Sequence, residues 1–324
     1  MTGYVALCPS RSRPLPSQSH KQDHPAPMIT IYSAMRPFHG TIGEVQLNAI
    51  RSWIAISPKC QVVLIEDEEG TSRGATNGLD VAVVDGVRRS GMGAPLLDDV
   101  LRVGRENAQH EILAFITADV LLPPGFPEAV SNMRRAIGPR EFFAIGARID
   151  LSEPVKFDFG RPDYFCAVHD AIARHGRPHG HTALDLWVYP ATLDFQAPPM
   201  PIGRGGMDGW AVWSLKRRGV QVIDFTHDVT LVHQHHERPA RRNPRYLDEF
   251  RECLRLFESM PENAMSLLDA DWLLIDGKLR RPTGLRRLHA AMSFFRPYRY
   301  LVGRRRRFNL PELYGPAAPG VRSA

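Results

Sequence analysis

The chain has 324 residues, 43% of them hydrophobic, enough to bury a full core in one main domain with appendages. No apolar run approaches the ~20 residues of a membrane-spanning helix. Cys8, Cys60, Cys166 and Cys253 form no CxxC pair, which argues against a zinc ribbon or disulfide framework and fits a reducing cytoplasm. The formal net charge is +6, yet Lys278 to Arg307 holds eleven basic residues and no acidic one, so the rest of the chain is net acidic.

Residues 1–27 are rich in Pro, Ser and His and lack an apolar h-region. They are expected to be a disordered extension rather than a signal peptide, with Met28 as a candidate start. Met28 to Ser33 reads as a strand. Ile42 to Ile56 carries Val45, Leu47, Ile50, Trp53 and Ile54 near helical spacing, and Pro58 ends it. Gln61 to Ile65 is a second strand, closing on Glu66 and Asp67, and Leu79 to Val84 is a third. Pro95 to Ala108 reads as a helix, with Asp98 and Asp99 in its first turn. Ile112 to Ile116 is a buried strand stopped by Thr117-Ala118-Asp119, and Pro123-Pro124-Gly125 turns the chain. This alternation predicts an α/β fold with a mostly parallel central sheet and right-handed crossovers.

Ligands bind beyond the carboxyl ends of the strands in such a sheet. Asp119 therefore stands where a carboxylate can hold a divalent cation on a diphosphate; the plainer reading is a helix cap. A helix is expected over Pro127 to Ile137 and a strand over Phe142 to Ile149. Gly203-Arg204-Gly205-Gly206-Met207-Asp208-Gly209-Trp210 leads into an amphipathic helix. Asp208 is either its N-cap or a working carboxylate beside two glycines that admit close backbone approach. Val229 to His236 reads as a strand ending in histidines, where His233 and His235, two apart, would face the same side. No Walker lysine follows the glycines, and no Gly-x-Ser-x-Gly elbow occurs.

This order of parts over residues 28–240 resembles the GT-A-fold nucleotide-diphospho-sugar transferases related to glycosyltransferase family 2. The resemblance implies a Rossmann-like central sheet flanked by helices. It also implies a hexosyltransferase-like enzyme that moves a sugar from a nucleotide-diphosphate donor to an acceptor hydroxyl with inversion. Matching positions make Ser33, Arg36, Glu66, Asp67 and Thr117 nucleotide-binding residues. They place Mg²⁺ or Mn²⁺ on Asp119, His233 and His235, and make Asp208 the general base. Asp185, Arg204 and Trp210 fall on the acceptor side, with Arg204 or Arg36 adding charge neutralisation. The pattern departs at Thr117, which stands where the family's DxD motif has its first acid. A sugar-nucleotide nucleotidyltransferase and a non-catalytic nucleotide-sugar-binding protein of the same fold are the alternatives.

Residues 241–277 are expected to be a helical and hairpin continuation, and 278–324 a basic, aromatic C-terminal extension. Arginine interleaves there with Leu285, Leu288, Phe294, Phe295, Tyr298, Tyr300 and Leu301. Three readings compete: aromatics packed on the catalytic domain, peripheral contact with the inner face of an anionic membrane, and nucleic acid. The acidic catalytic region and the lack of a recognition motif count against nucleic acid. A membrane contact would suit a glycan or lipid-linked acceptor met from the cytoplasm.

Overall fold

Alternating apolar side chains explain how the central sheet is covered on both faces. The computed structural model describes residues 29–56, 60–159, 161, 163–236, 244–258, 265–295 and 297–298. Strand β1 (Ile29–Ala34) pairs in parallel with β2 (Gln61–Ile65) and β4 (Ile112–Ile116), and β3 (Ala82–Val84) extends the β2 side. Beyond β4 come β9 (Leu186–Pro190), β6 (Phe142–Ile145), β10 (Gln221–Asp224), β12 (Trp272–Ile275) and β13 (Lys278–Arg280), nine strands in all among the described residues. Only β9 and β13 run antiparallel to their neighbours. The expected mostly parallel α/β sheet is therefore present.

Ile29, Ile31, Val62, Leu64, Ile112 and Ala114 face α1 (Gly40–Ala55) and α4 (Phe126–Ile137). Tyr32, Val63, Leu113 and Phe115, one residue out of phase, face α3 (Leu97–Glu106) and α6 (Met207–Arg217). Strands covered on both sides read as continuous apolar runs, and β4 is buried at all five positions. The contact between α3 and β1 is close: a Cβ at Gly104 would strike the Tyr32 ring.

A smaller sheet stands beside this one, in the order β5 (Val120–Leu121), β11 (Leu231–His233), β7 (Arg148–Leu151) and β8 (Gly176–Pro178). It corrects two expectations. The strand predicted over 142–149 divides into β6 and β7, which join different sheets. A Cβ at Gly146 would lie 2.7 Å from the Phe225 ring, and the Ala147 amide donates to Thr226 Oγ1 at 2.8 Å, so the backbone leaves the large sheet there. The strand predicted over 229–236 keeps ladder pairing only from Leu231 to His233.

The remaining helices are α2 (Ser72–Ala75), α5 (Tyr164–His175), α7 (Pro244–Glu258) and α8 (Gly284–Ala291). The expected segment boundary at 277–278 falls inside the β12–β13 hairpin. Asp276 and Gly277 turn there with φ of 52° and 69°, and their amides donate to the Asp228 carboxylate. The basic segment thus begins as an edge strand of the central sheet. The N-terminal extension 1–27 and the tail from 299 onward lie outside the described residues. Cys166 is disulfide-bonded. The scattered spacing argued against a disulfide framework, yet one bond forms at Cys166, because spacing along the chain carries no information on long-range pairing. No helix among the described residues is long and apolar enough to cross a membrane.

Candidate functional site

At the carboxyl ends of β1 and β4 lies a cleft of about 640 Å³. It is lined by most of the predicted residues: Ser33, Arg36, Thr117, Asp119, Asp185, Arg204, Asp208 and His233. The small sheet builds its floor. Asp119 immediately precedes β5, and the ladder sets His233 of β11 opposite both Val120 and Asp150. His233 Nε2 lies 3.3 Å from Asp119 Oδ2, and His236 Nε2 lies 3.0 Å from the same oxygen.

The expected partner His235 is not in this group. The Gln234 amide donates to the Asp119 carbonyl at 3.0 Å. Its side chain donates to the Val45 carbonyl at 2.9 Å and accepts from Asn48 at 3.0 Å. These bonds replace strand pairing after His233, so the two-residue alternation behind the expectation ends there. His236 returns to the cleft, while His235 does not line it.

Asp119, His233 and His236 each offer one ligand atom, all within 4.8 Å of one another. Asp119 Oδ1 is buried without a hydrogen-bond partner. Burial would raise the Asp119 carboxyl, but the facing His233 and His236 imidazoles outweigh it and hold it well below the usual carboxylate range. An orphaned carboxylate oxygen beside two imidazoles fits a divalent ion that accepts both oxygen and nitrogen. It suits Mn²⁺ better than Mg²⁺, which prefers oxygen ligands.

Three residues that were not anticipated hold this group in place. Asp150 Oδ1 lies 3.4 Å from His233 Nδ1, and its other oxygen bonds His179 Nδ1 at 2.5 Å. Arg148, buried at 6% exposure, reaches Asp150 at 2.8 Å through Nε and Asp185 at 2.5 Å through Nη1. The signal in the sequence was an Arg-x-Asp pair, two apart, at the end of an apolar run.

Asp208 occupies a different environment. The helix it belongs to begins at Met207, with Gly206 (φ 82°) in the N-cap position, so Asp208 is a first-turn residue and not the cap. Its Oδ2 accepts from the Leu184 amide at 3.3 Å, and Oδ1 is buried without a partner. Burial, with the neighbouring Asp185 charge adding, pushes this carboxyl up to about 8. Thr117 Oγ1 is likewise buried and unpartnered, and its amide donates to the Asp185 carbonyl at 2.9 Å.

Other predicted residues are engaged elsewhere. Ser33 lines the cleft but donates its hydroxyl to the Ile116 carbonyl at 2.6 Å. Glu66 and Asp67 do not line it. Asp67 accepts from the Glu69, Thr71 and Ser72 amides and from both hydroxyls of Thr71 and Ser72, while Glu66 accepts from Ser72 and pairs with Arg73. The acid that reaches the cleft from this loop is Glu68. Trp210 lies in the core, stacked on Phe195 at 6.1 Å. Arg204 lines the cleft with Nε 2.7 Å from Glu249 and its guanidinium over the Tyr246 ring at 4.6 Å. Gly205 is required beneath α7: its φ is 88°, and a Cβ there would lie 2.7 Å from Phe250.

No family model and no curated protein matches the chain. Solved structures do. A mannosyltransferase, PcManGT from Pyrobaculum calidifontis in complex with GDP-Man and Mn²⁺, is 19% identical, with 88% of this chain and 77% of that chain covered and a TM-score of 0.42. S. aureus TarS 1–349 in complex with UDP-GlcNAc is 12% identical over the same shares, with a TM-score of 0.47. GalNAc-T7 with UDP, GalNAc and Mn²⁺ is 12% identical, covering 75% of this chain and 52% of that one, with a TM-score of 0.49.

Proposed function

We propose that the chain is a glycosyltransferase of the GT-A kind, moving a sugar from a nucleotide-diphosphate donor to an acceptor hydroxyl. One observation carries this reading. A single cleft at the ligand edge of a parallel sheet holds both a carboxylate–imidazole group suited to a divalent cation and a separate buried carboxyl tuned toward neutral pH. Arg148 lies within electrostatic reach of both.

In this reading Asp119, His233 and His236 hold Mn²⁺, and the bound ion supplies charge neutralisation for the diphosphate leaving group. Arg36 is exposed at the cleft wall, with no ion-pair partner among the described residues, and meets a phosphate oxygen. Thr117 offers its unpartnered hydroxyl to the donor. Asp150 fixes the orientation of His233, as carboxylates behind metal-binding imidazoles do. Asp208 takes the acceptor proton on Oδ1 as the acceptor oxygen bonds the anomeric carbon. The sugar–diphosphate bond breaks with its electron pair leaving on the nucleotide. A base opposite the leaving group inverts the anomeric centre. Asp185 acts on the acceptor side through Arg148, which it holds in place.

The test is nucleoside-diphosphate release from a panel of GDP- and UDP-hexoses, with Mn²⁺ and with EDTA. Metal-dependent release from at least one donor is expected. No release and no Mn²⁺-supported binding of GDP or UDP would overturn the reading. Pyrophosphate release from a nucleoside triphosphate and a sugar phosphate would point to the nucleotidyltransferase instead.

A further inference from the structure

Helix α8 has one face fastened to the domain and one left bare. On the inner face, Arg286 donates to Asp224 Oδ2 at 2.6 Å and to the Leu267 carbonyl at 2.8 Å. Ser293 donates to the buried Asp269 at 2.6 Å, and His289 Nε2 lies 3.4 Å from the same oxygen. On the outer face Leu285 and Leu288 are 56% exposed, and just past the helix end Phe294 is 44% and Phe295 53% exposed. These are four of the five exposed large hydrophobics among the described residues, gathered within eleven positions. Single exposed apolar side chains are ordinary; a cluster on an anchored helix and the turn that follows it calls for a partner.

The surroundings select its chemistry. Arg287 of α8 is exposed, as are Lys278, Arg280 and Arg281, within seven residues of Leu285 along the chain, and no acidic residue occurs between 278 and 307. A second copy of the chain would bring cation against cation across a twofold interface. Nucleic acid would meet the arginines but gives aliphatic Leu285 and Leu288 nothing to enter. An apolar stripe rimmed by cations matches the boundary between headgroups and acyl chains of an anionic bilayer.

We propose that the outer face of α8 and the turn after it dock the protein on anionic phospholipid membranes, with Leu285, Leu288, Phe294 and Phe295 inserted and the neighbouring cations on the headgroups. The anchoring also has a direction. Leu267, held by Arg286, donates its amide to the His181 carbonyl at 3.1 Å, and the adjacent Thr182 and Ala183 line the cleft. The docked face is thus tied to the acceptor end of the site, which would favour an acceptor carried by the lipid. That last consequence rests on the proposed transfer; the docking does not.

Flotation of the full chain with vesicles tests the docking without any donor. Wild type is expected to float with phosphatidylcholine–phosphatidylglycerol vesicles at about 0.1 M salt, but not with phosphatidylcholine alone, and to be released at about 1 M salt. Leu288→Glu with Phe295→Glu should lower the bound-to-free ratio roughly tenfold or more. Arg280→Gln with Arg287→Gln should do the same at low salt. Both pairs are exposed, so an unchanged melting temperature checks the fold. Wild type that stays unbound at low salt overturns the proposal, as does an apolar variant that floats like wild type. A wild-type dimer dissolved by the apolar substitutions would assign the face to a second copy and overturn it too. Absent nucleotide-sugar turnover would leave the flotation result standing.

Discussion

Asp150 stands behind His233: Oδ1 lies 3.4 Å from Nδ1, while the far ring nitrogen, Nε2, lies 3.3 Å from Asp119. A carboxylate at Nδ1 fixes the tautomer that leaves Nε2 free to bind a cation, and loss of such a partner costs about 10–100-fold in metal affinity. Asp150→Asn should therefore weaken Mn²⁺ binding by about that factor, measured by electron paramagnetic resonance titration. An unchanged Mn²⁺ affinity would leave Asp150 as a partner of Arg148 and His179 only.

His236 and not His235 should carry the metal site. His236→Ala is expected to abolish Mn²⁺-supported binding of GDP or UDP, as Asp119→Ala should, while His235→Ala leaves it near wild type. Calorimetric titration of the three variants decides this. Equal losses in both histidine variants would mean that the turn at Gln234 rearranges when ligand arrives.

Asp208→Asn should reduce transfer about 10²–10⁴-fold while leaving nucleotide binding with Mn²⁺ intact. The same variant has a stability signature. The folded carboxyl titrates near 8 against an ordinary value of 3.8, so across that window the folded state keeps a proton the unfolded chain gives up. Stability from this group is therefore full below about pH 4 and falls as pH rises toward 8. Asp208→Asn should melt higher than wild type at pH 8 to 9 and show a flatter pH dependence. For wild type, turnover should climb with pH through the same region, because only the ionised carboxyl accepts a proton. Turnover that falls between pH 6 and 8 would exclude Asp208 as the base.

Asp67 should prove a loop anchor first. Asp67→Ala removes the acceptor for three amides and two hydroxyls and should lower stability by about 2–4 kcal/mol in urea unfolding. Burial opposes its ionisation, but the donors from Ser72, Glu69 and Thr71 hold the carboxyl below its ordinary 3.8. Its stabilisation is therefore present above about pH 4 and lost on acidification, so the gap between wild type and variant should narrow in acid. A variant with full stability but weakened nucleotide binding would instead place Asp67 at the ligand.

The central sheet was legible because burial on both faces leaves a strong mark. Ile112 to Ile116 is apolar throughout, and β2 and β4 begin and end where the pattern places them. Asp119 and Asp208 were legible because one follows a strand and the other opens a helix at the ligand edge, whereas Asp185, just ahead of β9, came only from the resemblance. His236 was not, since the strand's alternation pointed to His235 and only the long-range bonds of Gln234 to Val45 and Asn48 end it. Arg148 and Asp150 were hidden in what looked like the tail of one strand. The departure at Gly146 depends on Phe225, nearly eighty residues further on, and no local pattern encodes that contact.

The reversed direction of β9 has a consequence for how the chain tolerates change. Its antiparallel neighbour β4 reaches the cleft at its end, but β9 reaches it at its start, so Asp185 arrives there just ahead of Leu186. The stretch from 152 to 184 is thereby a detour that leaves at Leu151 and rejoins at Asp185, bringing His179, Thr182 and Ala183 to the cleft wall. Among its described residues none pairs with a strand of the large sheet. Changes within it can remodel the acceptor wall without disturbing the large-sheet ladder that leads into Asp119, provided β8 and the contact of His179 with Asp150 are kept.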